Sequence, residues 1–226
     1  MSLPFKICPV VRGSTIQLFL KNLKEAERIS PLIELRVDTI KGFKEDDVKL
    51  LKKSTKAAAI FTCRHVSEGG EFAGDKKVQH AILKKAFQAG FKFVDIAYGN
   101  SMIKSLSSKE KKKLVLSYHS FQNTPSFKSL KATLKKMRKA KPAVIKMATM
   151  VKKEKDILIL ADLLSERKAA EDIILIGMGK EGMMTRILFP LMGSYLTYVA
   201  IGKDKIAPGL MTYKEMREIY NAITKS

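Results

Sequence analysis

Cysteine is scarce in this chain: Cys8 and Cys63 are the only two among 226 residues. Both fall in apolar, strand-like runs with neither metal-ligand nor redox spacing, so they read as reduced core residues of a cytosolic protein. Long hydrophobic runs are missing too. No apolar stretch reaches the roughly 18 residues that a membrane helix needs. The first ten residues, MSLPFKICPV, lack a basic region followed by an apolar stretch, so no secretory signal is read there. Prolines number only seven, and no linker, composition break or low-complexity tract divides the chain. With 46% hydrophobic and 29% charged residues, the composition is that of a soluble globular protein long enough to bury a full core. The expectation is one cytoplasmic domain over residues 1–226.

Negative charge is also in short supply. Acidic residues number 22 against 43 basic ones, giving a net charge of +21 and a pI near 9.9. Such a balance suits nucleic-acid binding or attraction of anions generally. The excess is lysine rather than arginine, however, and it is dispersed over many segments. No zinc-finger spacing or RNP-like aromatic motif accompanies it. A solvated lysine-rich surface is the plainer reading, with a field that favours a small anionic substrate; specific nucleic-acid binding is not expected, and a basic nucleic-acid-binding protein stays as the alternative.

What is present is a repeated alternation. Short apolar runs recur at 5–11, 32–38, 57–64, 91–98, 113–120, 142–149, 172–179 and 195–202. Amphipathic stretches with helical spacing separate them, as in DKKVQHAILKKAFQAG, where Val78, Ile82, Leu83 and Phe87 share one predicted face. SLKATLKKMRKA, EKDILILADLLSERKAA and TYKEMREIYNAITK read the same way. Strands alternating with helices predict a parallel sheet, and eight units at roughly 22- to 34-residue intervals predict a (β/α)8 barrel. An open doubly wound sheet is the runner-up. It usually opens on a glycine-rich phosphate loop, and VVRGST lacks that pattern.

A barrel carries its chemistry at the C-terminal ends of its strands. There the second run, LIELRVD, brings Glu34 and Arg36, two apart and so on one face; side by side they form either a substrate-binding pair or a purely structural ion pair. The third ends in Arg64, followed by HVSEGGEF, a glycine-rich loop able to carry Glu68 over a site. The fifth, ending SYHSF, delivers His119, either catalytic or structural. The sixth lies within PAVIKMATM, whose single charge is Lys146. Burial, together with nearby cations such as Arg36, Arg64 and Arg186, disfavours an ammonium there, which is how an amine becomes a nucleophile able to form a Schiff base. GMGKEGMMTR after the seventh brings Arg186, suited to grip a carboxylate. GKDKIAPGL after the eighth reads as a further closing loop.

Together IELRVD, FTCR with EGGEF, SYHSF with TP, IKMA, GMGKEGMMTR and APG resemble the type I 3-dehydroquinate dehydratases, in order and over essentially the whole chain. The resemblance implies a (β/α)8 barrel, usually a homodimer, that acts in the shikimate pathway without metal or organic cofactor. It implies syn elimination of water from 3-dehydroquinate to give 3-dehydroshikimate. Lys146 would form the imine. His119 would act as general base and then general acid, paired with Glu68. Glu34, Arg36 and Arg64 would hold substrate hydroxyls and the charge balance, and Arg186 the carboxylate. Family members generally carry SAPGQ in the last loop, whereas this chain has Ile206 and Leu210 in place of the serine and glutamine, and Ala97 in place of the acid of a D-x-E on the fourth strand. These departures leave open a Schiff-base lyase of the same family with weakened activity or an altered cyclic keto-acid substrate.

Overall fold

The structure, a computed structural model, describes residues 6–202 and 209–224. Every one of the eight apolar runs forms a strand: β1 (Lys6–Val11), β2 (Leu32–Arg36), β3 (Ala58–Thr62), β4 (Phe93–Ala97), β5 (Leu114–Ser120), β6 (Val144–Met150), β7 (Asp172–Met178) and β8 (Leu196–Ala200). Between and after them come α1 (Ile16–Ile29), α2 (Asp47–Ser54), α3 (Lys76–Ala89), α4 (Ser108–Lys111), α5 (Phe127–Lys139), α6 (Glu154–Ser165), α7 (Met183–Leu191) and α8 (Tyr213–Thr224).

All pairings are parallel, in the order β7-β6-β5-β4-β3-β2-β1-β8, with β1 bonded to both β2 and β8. The seam between β7 and β8 is drawn together just before β8. The Tyr195 amide donates to the Ile173 carbonyl at 2.8 Å, and Ser194 Oγ accepts from the Leu175 amide at 3.2 Å. The sheet is thus a nearly closed barrel in a single-domain (β/α)8 architecture.

The strands read as continuous apolar runs because both of their faces are covered. On β5, Leu114 and Leu116 point outward to the helices, while Val115, Ser117 and His119 point inward. The outer core joins residues such as Phe19 and Leu23 of α1 to Leu35, Phe61 and Leu116 of the sheet. Truncating a fully buried side chain of this kind, for example Leu23→Ala, costs about 2–5 kcal/mol. The inner core is a separate apolar cluster that fills the barrel floor, including Cys8, Leu32, Ile60, Phe93, Val144 and Leu196. Cys8 and Cys63 are both free and buried, as expected.

One predicted helix face needs correction. Ile82, Leu83 and Phe87 of α3 are buried, but Val78 is 47% exposed, and Gln79 takes the inward position instead. Gln79 does so because it has partners there: its Nε2 donates to the Cys63 carbonyl at 2.9 Å and to Glu68 at 3.1 Å. The start of α3 therefore serves the barrel mouth rather than the outer core.

Candidate active site

Above the apolar floor the inward side chains turn polar. Lys146 of β6, only 6% exposed, is the one buried lysine among the described residues. Its Nζ donates to Glu34 Oε1 of β2 at 3.2 Å and to Asp95 Oδ2 of β4 at 3.4 Å. The aromatic face of Tyr198 from β8 lies 4.3 Å from the same nitrogen. The nearest neighbours of the amine are thus two carboxylates and a ring, whereas the sequence pointed to surrounding guanidiniums.

Each carboxylate is itself anchored. Thr62 Oγ1 donates to Glu34 Oε1 at 3.1 Å. Asp95 Oδ1 accepts from Arg64 at 2.6 Å and from Ser117 Oγ at 2.6 Å, and Arg64 also reaches Ser117 at 2.9 Å. Burial alone would raise the Asp95 carboxyl, but Arg64, Lys146 and the Ser117 hydroxyl outweigh it and hold the group well below the usual carboxylate range. Lys146, Arg64, Glu34 and Asp95 form a charge-balanced quartet in the barrel.

Arg36 does not pair with Glu34, contrary to one reading of LIELRVD. Its guanidinium makes a two-point bond with Asp38, at 2.9 and 2.7 Å. Burial opposes that charge, yet the Asp38 bonds keep it firmly protonated. Asp38 also accepts from the Glu71 amide at 3.1 Å, and Glu71 pairs with Arg12 of the β1 end. This chain of contacts fastens the EGGEF loop to the rim of the barrel.

His119 stands two residues beyond Ser117, which is the register partner of Lys146. It is therefore one inward step further toward the mouth. Its ring stacks on Phe121, with centroids 5.6 Å apart and planes 9° apart. Burial, then Arg64 and Lys146, push the imidazole well below its ordinary pKa, so it rests neutral. Among the described residues no hydrogen bond joins it to Glu68. Glu68 instead accepts from the His65 amide at 3.3 Å, Gln79 at 3.1 Å and Asn100 at 3.3 Å. The expected direct Glu68–His119 pair is replaced by an indirect contact. A Cβ at Gly69, which has φ +77°, would sit 2.2 Å from the Phe121 ring, so the loop rests on the same phenyl that supports His119.

Arg186 is placed by the glycines before α7. Gly182 lies so close to Gly177 that a Cβ would meet its carbonyl oxygen at 2.5 Å, and Thr185 Oγ1 links the two by accepting from the Gly177 amide and donating to the Gly182 carbonyl. That packing buries Arg186 to 6% exposure. Its Nε has no hydrogen-bond partner among the described residues, and burial lowers its pKa to about 10. A buried cation in this condition suits an incoming carboxylate. Among the described residues no cluster of three or more His, Cys, Asp or Glu side chains has the arrangement of a metal site.

A lysine and a neutral histidine thus lie on adjacent strands toward the C-terminal mouth of a (β/α)8 barrel, and α7 carries a buried arginine whose Nε is unpartnered among the described residues. The family model of type I 3-dehydroquinase matches residues 7–226. The chain belongs to the type I 3-dehydroquinase family. It is 36% identical to a 3-dehydroquinate dehydratase of Coxiella burnetii over 221 residues, covering 97% of this chain and 94% of that one. It is 31% identical to the 3-dehydroquinate dehydratase of Methanocaldococcus jannaschii, covering 95% and 97%. Among solved structures it resembles the type I 3-dehydroquinate dehydratase of Clostridium difficile, with TM-score 0.85 and 26% identity over 97% of this chain and 92% of that one. That structure holds covalently modified comenic acid. Family membership makes the chain a lyase.

The short motifs shared with type I 3-dehydroquinases have definite places in the barrel. Glu34, Arg64, Lys146 and His119 come together in the barrel; Arg36 and Glu68 act on its rim, and Arg186 approaches from α7. Ile206 lies outside the described residues. Leu210 is 5% exposed and joins the inner apolar cluster, and Ala97 stands opposite Ser117 in register. Asp95, Ser117, Thr62 and Tyr198 were missed as site residues. Asp95 carries the same signal as Lys146, one charge in an apolar strand, FVDIA.

Proposed function

We propose that this chain dehydrates 3-dehydroquinate to 3-dehydroshikimate through an imine on Lys146. The carrying observation is the placement of Lys146, buried between two carboxylates on the strand beside His119. Glu34 is the base within reach of the ammonium, and proton transfer to it frees the amine to attack the ketone carbon. The proton returns to the carbinolamine hydroxyl, which leaves as water and gives the protonated imine, an electron sink that acidifies the adjacent C–H. His119, neutral at rest, removes that proton; as imidazolium it then protonates the departing hydroxyl on the same face. Water hydrolyses the imine and restores the lysine. Arg186 grips the substrate carboxylate, and Glu34, Arg36 and Arg64 maintain the charge balance and the hydroxyl contacts. Glu68 acts on His119 through its loop. The scheme employs no metal or organic cofactor, and the whole of residues 1–226 works as one catalytic domain in the cytoplasm, in the shikimate pathway. No helix among the described residues is long and apolar enough to cross a membrane.

Borohydride added during turnover should reduce the imine and add the mass of the product skeleton at Lys146. An unmodified Lys146 in folded, substrate-exposed protein would refute the mechanism. The enone absorbance that accompanies product should vanish in Lys146→Ala. The apolar Leu210 beside the barrel interior favours a second reading, the same imine chemistry on a related cyclic keto acid or at a lower rate. A higher kcat/KM with such an acid than with 3-dehydroquinate would select it.

The homodimer implied by family resemblance has a suitable face on α7. Met184, Leu188, Leu191 and Met192 recur at i, i+4, i+7 and i+8, and are 47%, 40%, 40% and 54% exposed. A second copy would cover this stripe, on the side of the helix away from Arg186. Leu188→Glu should then yield a monomer in sedimentation, and an unchanged mass would place the interface elsewhere.

A further inference from the structure

Tyr198 fills a space that phenylalanine would fill without a polar atom. It projects from β8 into the barrel opposite Cys8 of β1, and is only 4% exposed. Its hydroxyl is buried with no hydrogen-bond partner among the described residues, a disfavoured condition for a core tyrosine. Its ring face carries the Lys146 nitrogen at 4.3 Å, a cation–π distance in a desolvated setting. Packing alone explains neither the orphan hydroxyl nor the stacked cation.

The stoichiometry of imine formation supplies a reason for both. An ammonium has three N–H bonds; condensation with a ketone releases water carrying the ketone oxygen and two of those protons, so the protonated imine keeps one N–H. At rest Lys146 donates to Glu34 and to Asp95. With a single N–H it cannot serve both. Asp95 retains Arg64 and Ser117, each at 2.6 Å, whereas Glu34 retains only Thr62, at 3.1 Å. Glu34 is therefore the carboxylate left with fewer donors from the protein. It is also the charged group that acts most strongly on the Tyr198 phenol.

Resting on the imine reading above, we propose that Tyr198 is a positioning residue for the covalent intermediate: its ring face holds the cationic nitrogen of Lys146 as ammonium and then as protonated imine, and its hydroxyl becomes the donor to Glu34 when the imine forms. The tyrosine thus keeps Glu34 supplied with a donor through the covalent part of the cycle. Both halves of the role act on the intermediate rather than on substrate capture.

The test uses the full chain with 3-dehydroquinate, reading steady-state rates and the fraction of protein trapped by borohydride during turnover. Wild type is measured first, since absence of trapping at Lys146 there would sink the imine reading itself. With trapping established, Tyr198→Phe should lower kcat and the trapped fraction, the former about tenfold for a lost bond to a charged acceptor, with KM within twofold. Tyr198→Leu, which also removes the ring, should lower both by about a further tenfold. In a Glu34→Gln background, Tyr198→Phe should cost little more, because the carboxylate it serves is gone. A Tyr198→Phe enzyme equal to wild type in kcat and trapping overturns the hydroxyl's role. So does a full tenfold loss in the Glu34→Gln background. Equal values for Tyr198→Phe and Tyr198→Leu overturn the role of the ring.

Discussion

The ring of His119 lies flat against Phe121, planes 9° apart, and the far end of that phenyl rests on Gly69 of the EGGEF loop. This stack, rather than a hydrogen bond from Glu68, transmits the position of the loop to the histidine. Gly69→Ala should disturb it in two ways. The left-handed φ of +77° costs a Cβ-bearing residue about 1–2 kcal/mol. The new methyl also meets the Phe121 ring. We expect kcat to fall by roughly tenfold with a modest loss of stability, and Phe121→Ala in the same chain to relieve the clash without restoring the rate. Full activity in Gly69→Ala would show that the stack does not orient His119.

The neutral state of His119 makes a prediction about pH. Burial and the cations Arg64 and Lys146 set its pKa well below the ordinary 6.5. A base of that kind stays competent as pH falls, so the acid limb of kcat/KM due to His119 should lie well below 6.5. Stability follows the opposite direction. The unfolded imidazole takes up a proton near 6.5 while the folded one resists, so stability declines as pH falls below 6.5 until the folded group also protonates. An acid limb close to 6.5 would contradict the buried, neutral state.

Asp95 is the keystone of the quartet. Asp95→Asn would leave Arg64 and Lys146 facing only Glu34, and removal of one partner from a buried ionic set costs about 3–5 kcal/mol. Urea unfolding at neutral pH measures that loss. The wild-type carboxyl sits below its ordinary value of 3.8, so its contribution is complete above that pH and disappears as pH falls beneath it. The variant should lack this acid-dependent component. Equal urea midpoints at neutral pH would mean that the carboxylate's attraction to its neighbours does not exceed its desolvation.

Strand count, barrel closure and the inward lysine were legible because each rests on periodicity or on one charge amid apolar neighbours. Partner choice was not. LIELRVD puts Glu34 and Arg36 on one face, but Asp38 lies where the strand has ended and the chain turns, so it returns to take Arg36 in a bond that strand periodicity does not predict. Spacing puts Val78 on the core face, yet Gln79 is the buried residue, for the related reason that the polar rim, not the apolar wall, meets the first turn of α3. Glycines reveal close approach only once the approaching backbone is known, as with Gly177 and Gly182.

Arg186 predicts an exchange of stability for binding. Burial lowers its pKa to about 10, the mark of a desolvation penalty on the charged form in the folded state. The guanidinium stays charged at neutral pH, so that penalty is present there. Arg186→Met should therefore raise the thermal midpoint at neutral pH while increasing KM by about a hundredfold, the loss of a two-point charged bond. A lower midpoint would mean that the guanidinium contributes more to the fold than its missing Nε partner indicates.

Leu210 offers the last test, because it separates folding from catalysis at a position where the family generally has glutamine. The side chain is 5% exposed among the apolar residues of the inner cluster, close in sequence to Gly209, whose Cβ would strike the Gly179 carbonyl at 2.1 Å. That contact pins the backbone, so a longer polar side chain cannot escape by moving the loop. In Leu210→Gln the amide would enter a dry space without a partner and cost about 1–3 kcal/mol in the free enzyme. A substrate hydroxyl supplies the partner. Ligand should then stabilise Leu210→Gln more than wild type, and, with Ile206→Ser added, kcat/KM for 3-dehydroquinate should rise about tenfold or more. Equal ligand-induced shifts in the thermal midpoint, with no gain in kcat/KM, would show that the bound substrate does not reach residue 210.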